Sequence, residues 1–538
     1  MGTAAGGTAR AASIKPTLTV AVDSTDIDHS DPALSYSVLG WQIEQETCDT
    51  LVGYSDHSGK VSSSLSPLGA AGLPKVTNNG KTYTFTIRSG LKFSNGHSIT
   101  AANYEYAFDR DALKSLNSPV TGFMTGVVKG WDTENNSNTI RTVSGVTAKG
   151  QKLTVTLVKA DGTMLPKLAL PFFCPIDKAA PLYVSGKWKG SEYSGALPGS
   201  GPYFLYKRTV GKQMVLHLNT HYKGLKLHKA STIIMNMKVS SSAAFNGIDA
   251  KNPTYALDLN GNPEPSNNKN LAKKYGVNKS RFWVEPTLII SYLAMNTSRN
   301  TFGHVNLRKA VNQVVDRPGI LNIGGYLSGT SQTQALPKAL AGSHWSSNYA
   351  YPTSTPTNAR FSAAKSQGNN CNGGDTINFW HGTSDPAVQA AALDSYDFHQ
   401  LGCNVNSVGF AGYDRYTQAG IKGNNMDIMT AGWSDDYPDG FDWFGILFDG
   451  RTIGPDNNND LAYINNSTLN AKTDACSKLA GSARTNCWGA EDQWMTSNLA
   501  PWATENSANF VDYISDNAHN YRYDAPFASV ELGLLYQS

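Results

Sequence analysis

The sequence lacks several features that would define its class at once. No stretch approaches the roughly 20 consecutive apolar residues that span a bilayer, and charged residues make up only 16% of the 538 residues. The 45 Lys and Arg nearly balance the 42 Asp and Glu, so the net charge is +3. Because so weak a field cannot hold a phosphate backbone, nucleic acid is not an expected partner.

Signatures of common enzymes are also absent. There is no G-x-S-x-G nucleophile elbow, no H-E-x-x-H zinc helix and no P-loop, and the 11 histidines have no metal-ligand spacing. A cluster of Asp435, Asp436, Asp439 and Asp442 superficially suggests the paired acids of a glycosidase. A secreted hydrolase is therefore the rival class, while the sequence favours a protein that is not an enzyme and needs no cofactor or metal.

No two cysteines form a C-x-x-C pair, so neither a zinc site nor a redox motif is indicated. Six cysteines are present, at Cys48, Cys174, Cys371, Cys403, Cys476 and Cys487. Cys476 and Cys487 bracket a short segment, and Cys371 and Cys403 flank a predicted strand and helix, which favours local disulfides in an oxidising compartment. Cys48 with Cys174 is the remaining pair, and buried reduced thiols are the alternative.

The length and the periodicity indicate a mixed α/β protein of two large lobes. Cores stop growing at roughly 250 to 300 residues, so a chain of this length divides. Tyr83, Phe85 and Ile87 alternate with threonines, which predicts a half-buried strand. Thr100 is a candidate N-cap for an amphipathic helix behind it. Strand and helix patterns are interleaved along the whole chain.

Four motifs carry a resemblance to a known family. Residues 80–108 read GKTYTFTIRSGLKFSNGHSITAANYEYAF, and GSGPYF follows at 199–204. Met295-Asn-Thr precedes VNLRKAV at 305–311, and GWSDDYPD ends at residue 439. In this order they resemble family 5 extracellular solute-binding proteins, the oligopeptide and dipeptide receptors of ABC importers. Two departures are Asn103, near the place of the usual acidic residue, and 62–67, where the family's common lead-in is missing.

The resemblance implies a two-lobed fold of the type II periplasmic-binding-protein kind with an extra subdomain and a two-segment hinge. It divides the chain into a flexible tether at 1–17, a first lobe of 18–50, 185–286 and 500–538, the extra subdomain at 51–184, and a second lobe at 287–499. The tether, which has no apolar leader, is interpreted as the remainder of a removed N-terminal anchor. The expected protein is an extracytoplasmic monomer, either periplasmic or a cell-surface lipoprotein.

The candidate binding residues centre on Trp433-Ser434-Asp435-Asp436-Tyr437, after a predicted strand at 426–431 where Gly432 is expected to turn the backbone. The resemblance makes Asp436 the carboxylate that pairs with a peptide α-ammonium, and Trp433 a flat wall for a ligand side chain. The alternative is that these acids decorate a polar loop. Tyr36, Asn260 and Tyr413 are further candidates, since they lie in segments that line the cleft in the family.

The predicted function is capture of a peptide in the interlobe cleft and delivery to ABC permease subunits. Burying a peptide's positive terminus is costly unless an ionised acceptor waits there, which is the role assigned to Asp436. Two solutes remain as alternatives within the same receptor role. One is an oligosaccharide, because sugars stack on tryptophan rings and the chain has 11 tryptophans. The other is a chelated metal.

Overall fold

The computed structural model describes residues 16–22, 27–54, 64–180, 183–184, 187–188, 197–259, 265–367, 371–412 and 414–538. Strands and helices alternate along these residues, so the predicted mixed α/β class is confirmed. The strands are β1 (Thr17–Val22), β2 (Val52–Tyr54), β3 (Leu65–Pro67), β4 (Lys75–Thr77), β5 (Thr82–Thr86), β6 (Val146–Lys149), β7 (Lys152–Thr156), β8 (Tyr183–Val184), β9 (Lys187–Trp188), β10 (Tyr203–Thr209), β11 (Gln213–Leu218), β12 (Thr232–Met237), β13 (Asp258–Leu259), β14 (Phe282–Met295), β15 (Gly329–Ser331), β16 (Thr376–Gly382), β17 (Asn404–Phe410), β18 (Ile428–Trp433), β19 (Trp502–Tyr513), β20 (Ala518–His519), β21 (Tyr523–Asp524), β22 (Ser529–Val530) and β23 (Tyr536–Gln537).

Helices cover the faces and ends of the sheets. They are α1 (Val38–Thr47), α2 (Ala101–Asp111), α3 (Thr121–Met124), α4 (Trp131–Glu134), α5 (Met164–Lys167), α6 (Ser241–Asp249), α7 (Asn268–Tyr275), α8 (Asn300–Gly303), α9 (Val305–Val314), α10 (Arg317–Ile323), α11 (Asn358–Gln367), α12 (Cys371–Gly374), α13 (Asp385–Gln400), α14 (Asp414–Ala419), α15 (Phe441–Phe444), α16 (Ser467–Ser477) and α17 (Gly481–Asn498). Of the helices in these described ranges, none combines the length and the apolar character needed to cross a membrane.

Three sheets organise the molecule. The first has the order β10-β11-β12-β1-β13, the second β15-β19-β14-β18-β16-β17, and the third, which is antiparallel, β4-β5-β7-β6. We call the part built around the first and third sheets the first lobe, and the part built around the second sheet the second lobe. The segment at 514–535 returns to the first lobe, where Ile514, Val530 and Leu532 pack with Leu18 and Val20 of β1.

Local sequence explains the third sheet and its helix. Tyr83 and Phe85 of β5 are buried while the threonines between them are partly exposed, as the alternation predicted. At the start of α2, the Oδ1 atom of Asn103 accepts a hydrogen bond of 2.9 Å from the backbone N–H of Thr100. Thr100 is the N-cap residue of α2, as predicted, and forms a capping box with Asn103. Its hydroxyl also lies 3.1 Å from Asn103 Oδ1. Asn103 thus satisfies the helix start without an acidic side chain.

The GSGPYF motif brings β10 against the end of α1. The N–H of Gly201 donates to the carbonyl of Thr47 at 2.8 Å. A Cβ atom at Gly201 would lie 2.5 Å from the carbonyl oxygen of Glu46 and 2.6 Å from the backbone nitrogen of Cys48. No side chain fits this gap, so glycine is required for the strand and the helix end to approach each other.

Two long antiparallel strands join the lobes. Strands β14 and β19 pair from Phe282 with Tyr513 to Ala294 with Trp502, and the register shifts after Pro286. Trp283 packs on the core of the first sheet, whereas Ile290 belongs to the core of the second. The predicted lobe boundaries at 286/287 and 499/500 fall within β14 and just before β19, and they stay predictions.

All six cysteines form disulfides, in the pairs that the sequence favoured: Cys48–Cys174, Cys371–Cys403 and Cys476–Cys487. The first joins the residue after α1 to the residue after a short helical turn at Pro171–Phe173, and so ties the first sheet's helix to the third sheet's core. The other two lie within the second lobe.

The Cys48–Cys174 disulfide should stabilise the protein most. It closes a loop of 126 residues, whereas Cys476–Cys487 closes one of 11. On loop-closure entropy, replacing both cysteines of the first pair by alanine should cost about 5 kcal/mol of unfolding free energy, against about 3 kcal/mol for the second pair. Urea denaturation of the two double variants measures this. The reverse order would show that chain entropy does not govern these crosslinks.

Buried carboxyl groups should make the protein more stable in mild acid. Burial raises the pKa of Asp512 to about 8, although the Tyr521 hydroxyl donates to it at 2.6 Å. Burial likewise raises the pKa of Glu491 to about 8 and that of Asp397 to about 7. The folded state therefore keeps protons that the unfolded chain releases above about pH 4, so stability falls as the pH rises from about 4 towards 8.

Denaturation in urea at pH 5 and at pH 8 tests this sign. The unfolding free energy should be larger at pH 5, and Asp512→Asn should flatten the dependence, since asparagine is neutral at both values. Asp516→Asn is the matched control, because Asp516 is an exposed carboxyl four residues along the same chain segment. Greater stability at pH 8 would contradict the prediction.

Candidate functional site

The lobes meet at the segment that follows β18. Tyr437 of this segment lies in the core of the third sheet, and Ile446 packs against the cores of both lobes. The ammonium group of Lys167, from the first lobe, lies 5.7 Å from the ring centre of Phe441. Residues 433–446 therefore form the second lobe's contact surface against the first lobe, and the structure is closed at this point.

The strand leading to this surface lies two residues further along the chain than the sequence suggested, with the same length of six residues. It was predicted to end at Ala431, with a turn at Gly432, but β18 continues through Trp433. Ile290 of β14 pairs with Trp433 and Ser291 pairs with Gly432. Because the ladder from β14 holds the strand extended, Gly432 needs no left-handed conformation, and the backbone leaves the sheet two residues later than expected.

Asp436 is a second-lobe carboxylate that contacts the first lobe. It is buried, with 4% of its surface exposed. The Tyr36 hydroxyl, from the loop before α1, donates a hydrogen bond of 3.0 Å to Asp436 Oδ2. Burial raises the pKa of Asp436, the Tyr36 hydrogen bond opposes this, and the charge of Asp435 adds to the rise. A cation bound next to such a carboxylate would replace the interactions with water that burial removes, and it would stabilise the ionised form.

Asp442 holds Asp436 and Trp433 in place. Its Oδ2 atom accepts a hydrogen bond of 2.9 Å from the backbone N–H of Asp436 and one of 3.0 Å from the indole Nε1 of Trp433. Asp442 is fully buried on α15, and burial together with the charge of Asp436 raises its pKa. One carboxylate oxygen therefore fixes both the binding loop and the tryptophan ring.

Asp435 is the acid at this surface whose negative charge is balanced by the fewest neighbouring donors. It is 5% exposed, and neither carboxylate oxygen has a hydrogen-bond partner among the residues that the structure describes. Burial raises its pKa well above the ordinary value, and the charges of Asp442 and Asp524 raise it further. Such a group needs either a proton or a cation from outside the described protein groups.

Tyr36 is held by aromatic side chains. Its ring centre lies 5.7 Å from that of Trp41, 5.9 Å from that of Phe172 and 6.3 Å from that of Phe123. Its backbone N–H donates to Asp28 Oδ2 at 2.6 Å. The hydroxyl therefore points at Asp436 from a rigid position on the first lobe.

Asp439 is a structural acid. Its carboxylate accepts two hydrogen bonds from the Arg484 guanidinium, at 2.6 Å from Nε and 2.7 Å from the second terminal nitrogen. The backbone N–H of Phe441 also donates to it at 2.8 Å. The bidentate pair neutralises Asp439 and fixes the turn before α15, so Asp439 is not available as a partner acid of the glycosidase kind.

The remaining candidates have mixed placements. Tyr437 is fully buried, and Ser434 and Trp433 are half-buried, with Trp433 packed on the second lobe's core. Asn260 and Tyr413 lie outside the described residues. The proposed ligand roles of all these side chains stay predictions.

Sequence reasoning missed two groups at this surface. Asp442 appeared only as one member of an acidic run, and nothing in the sequence marked its role as an acceptor for the Asp436 amide. Tyr54, on β2 of the first lobe, was not singled out. It is 6% exposed and its hydroxyl has no partner within the described ranges. Only the approach of the two lobes brings Tyr54 near Asp435, and no local pattern encodes that contact.

A cavity of about 340 Å³ lies behind Tyr54 in the first lobe. It is bounded by the end of α1, the β2–β3 hairpin, residues 225–227 and the C-terminal segment at 522–534. Tyr54 and Asp524 line it, and the pKa of Tyr54 is raised by burial and then by the charge of Asp435. Residues 433–442 do not line this cavity.

The chemistry of the surface is that of a cation acceptor. Three carboxyls are buried here, and one of them, Asp436, accepts a hydrogen bond from a hydroxyl across the lobe contact. Within the described residues, no group of three or more His, Cys, Asp or Glu side chains is arranged to hold a metal ion. Buried carboxylates with few donors around them are suited to accept hydrogen bonds from a positive group.

Comparisons with known proteins agree with the fold. The family model described as bacterial extracellular solute-binding proteins, family 5 middle, matches residues 64–455. The chain is 25% identical over 450 residues to haem-binding protein A of Haemophilus influenzae, covering 80% of this chain and 76% of that protein.

Two solved structures have the same fold over nearly the whole chain. Clavulanic acid biosynthesis oligopeptide binding protein 2 superposes with a TM-score of 0.82 at 16% identity, over 98% of this chain and 96% of that one. The murein tripeptide binding protein MppA of Escherichia coli gives a TM-score of 0.78 at 19% identity, over 97% and 98%. These likenesses confirm the predicted two-lobed architecture.

Removing the Tyr36 hydroxyl should loosen the closed form. Tyr36→Phe keeps the ring in its aromatic setting but deletes the hydrogen bond to Asp436, which is worth about 1.5–3 kcal/mol when the acceptor is charged. The radius of gyration of the unliganded protein, measured by X-ray scattering, should increase. Tyr206→Phe is the control, because Tyr206 is half-exposed on β10. Equal radii for both variants would show that this bond does not hold the lobes together.

Proposed function

Because the chain belongs to the bacterial extracellular solute-binding proteins of family 5, we propose that it captures peptides between its lobes and delivers them to the permease of an ABC importer. The observation that carries the proposal is the buried Asp436 carboxylate, held at the lobe contact by Tyr36. A peptide α-ammonium is a cation with three N–H donors. It can donate hydrogen bonds to a carboxylate that burial has removed from water.

The geometry supports capture by closure. Tyr36 is fixed on the first lobe and Asp436 on the second, so a ligand that contacts both is bound fully only when the lobes meet. Contacts made only in the closed state shift the population towards it. The permease can then distinguish the loaded receptor by its shape.

Two similar structures support a peptide as the solute, since they are named as oligopeptide and murein tripeptide binding proteins. One similar protein is instead named for haem binding, so a porphyrin is the competing solute in the first experiment. We place the protein outside the cytoplasm, as a monomer attached through its N-terminal segment, and acting without catalysis.

The first experiment identifies what the protein carries. Purified protein is denatured, and the released small molecules are analysed by mass spectrometry. Peptides of a narrow length range are the expected finding. Release of an oligosaccharide or a porphyrin, with no peptide, would overturn the peptide proposal while leaving a capture role.

The second experiment tests Asp436. Asp436→Asn removes the charge but keeps the size, and loss of a buried ion-pair partner costs about 3–5 kcal/mol, so tripeptide affinity should fall at least about 100-fold in calorimetry. Asp516→Asn, an exposed change of the same kind, should bind like the unaltered protein. Equal affinities of the two variants would remove Asp436 from the binding site.

A further inference from the structure

The lobe contact holds more negative groups than one peptide terminus can balance. Asp435, Asp436 and Asp442 are all at least nine-tenths buried within eight residues of one another. Among the described residues, no Lys, Arg or His forms an ion pair with any of the three, because Arg484 is taken by Asp439 and Lys167 by Asp161. An α-ammonium on Asp436 would leave two buried carboxyls without a cation.

Tyr36 of the first lobe donates a hydrogen bond to Asp436, and Tyr437 belongs to the acidic segment itself. The titratable and charged groups around the cluster are Tyr36, Tyr54, Tyr437, Tyr523, Asp439, Asp524 and Arg484. The hydroxyls of Tyr54 and Tyr437 are buried and have no hydrogen-bond partner within the described ranges. Burial raises the pKa of Tyr54, and the charges of Asp435, Asp439 and Asp442 raise it further. Burial and the charge of Asp442 likewise raise the pKa of Tyr437.

These unpartnered groups are what a second cation requires. An ammonium or guanidinium has several donors and is buried favourably only if carboxylates and neutral oxygens accept all of them. Asp435 supplies two carboxylate oxygens without partners, and Tyr54 and Tyr437 supply neutral oxygens. Of this set, Tyr54 also lines the cavity in the first lobe.

We propose that the site selects peptides whose first residue is Lys or Arg, with the α-ammonium on Asp436 and the side-chain cation on Asp435, whose buried carboxylate oxygens have no hydrogen-bond partner among the described residues. The proposal rests on peptide capture at Asp436 and adds the chemistry of the first side chain. Asp442 acts as a positioning residue, since it orients the Asp436 amide and the Trp433 ring through hydrogen bonds.

Proton release follows from the same arrangement. Burial raises the pKa of Asp435 and of Asp442, which favours the protonated form of each carboxyl in the empty site. A cation bound beside these carboxyls favours their ionised form, lowers the pKa and drives the proton into solution. A peptide with a second cation should therefore release more protons on binding than one without it.

The decisive comparison uses two peptides that differ in one charge. Lys-Ala-Ala and norleucine-Ala-Ala have first side chains of nearly the same length and apolar stem, but only the first has the ammonium group. Isothermal titration calorimetry at pH 7 should show Lys-Ala-Ala binding at least about tenfold tighter. Asp435→Asn should bring the ratio of the two affinities towards one, whereas Asp516→Asn should keep it.

A measurement on the unaltered protein keeps the test valid if Asp435→Asn does not fold. Titrations in two buffers with different ionisation enthalpies give the number of protons released, which should be larger for Lys-Ala-Ala than for norleucine-Ala-Ala. Equal affinities and equal proton release would overturn the selectivity while peptide capture stands. If neither peptide binds and denatured protein releases no peptide, both proposals fail.

Discussion

Burial of carboxyl groups where the lobes meet is the constraint on which the site depends. Asp435, Asp436 and Asp442 are buried in the closed form, and the groups that donate to them are one hydroxyl, one indole N–H and one backbone N–H. Neutral donors compensate a buried charge only in part. In the closed form without a cation, the charge of these carboxylates is therefore not fully compensated. A positively charged ligand would supply the missing compensation and so bind favourably.

The rest of the fold holds this surface in register. Strand β18 is paired along β14, and β14 also forms the crossing between the lobes with β19. The position of Trp433 is therefore tied to the same strand that connects the two cores. On the opposite side, Tyr36 precedes α1, whose end is fixed by the close approach of Gly201 and by the Cys48–Cys174 disulfide. Both halves of the contact are rigid, so motion is left to the crossing strands.

Local patterns predicted the elements well, because their causes are local. Alternation at Tyr83 and Phe85 gave a half-buried strand, and the pairing of cysteines followed spacing along the chain. The end of β18 was predicted two residues too early, since glycine was taken as a turn and the pairing partner Ser291 is distant in sequence. The acidic segment was found, but the contacts of Tyr36 with Asp436 span 400 residues and no periodicity encodes them.

The acids of this segment differ in what they do, although the sequence shows them as one run. Asp439 is neutralised by Arg484 and shapes the turn, Asp442 orients an amide and an indole, and Asp436 meets the first lobe. Asp435 alone has two buried oxygens without partners among the described residues. Replacing Asp435 by a neutral residue would remove repulsion from Asp442 and stabilise the empty closed form. An acid at this position is favourable when the ligand supplies the missing positive charge, so the selectivity proposed for the cleft follows from the electrostatic cost of its empty closed state.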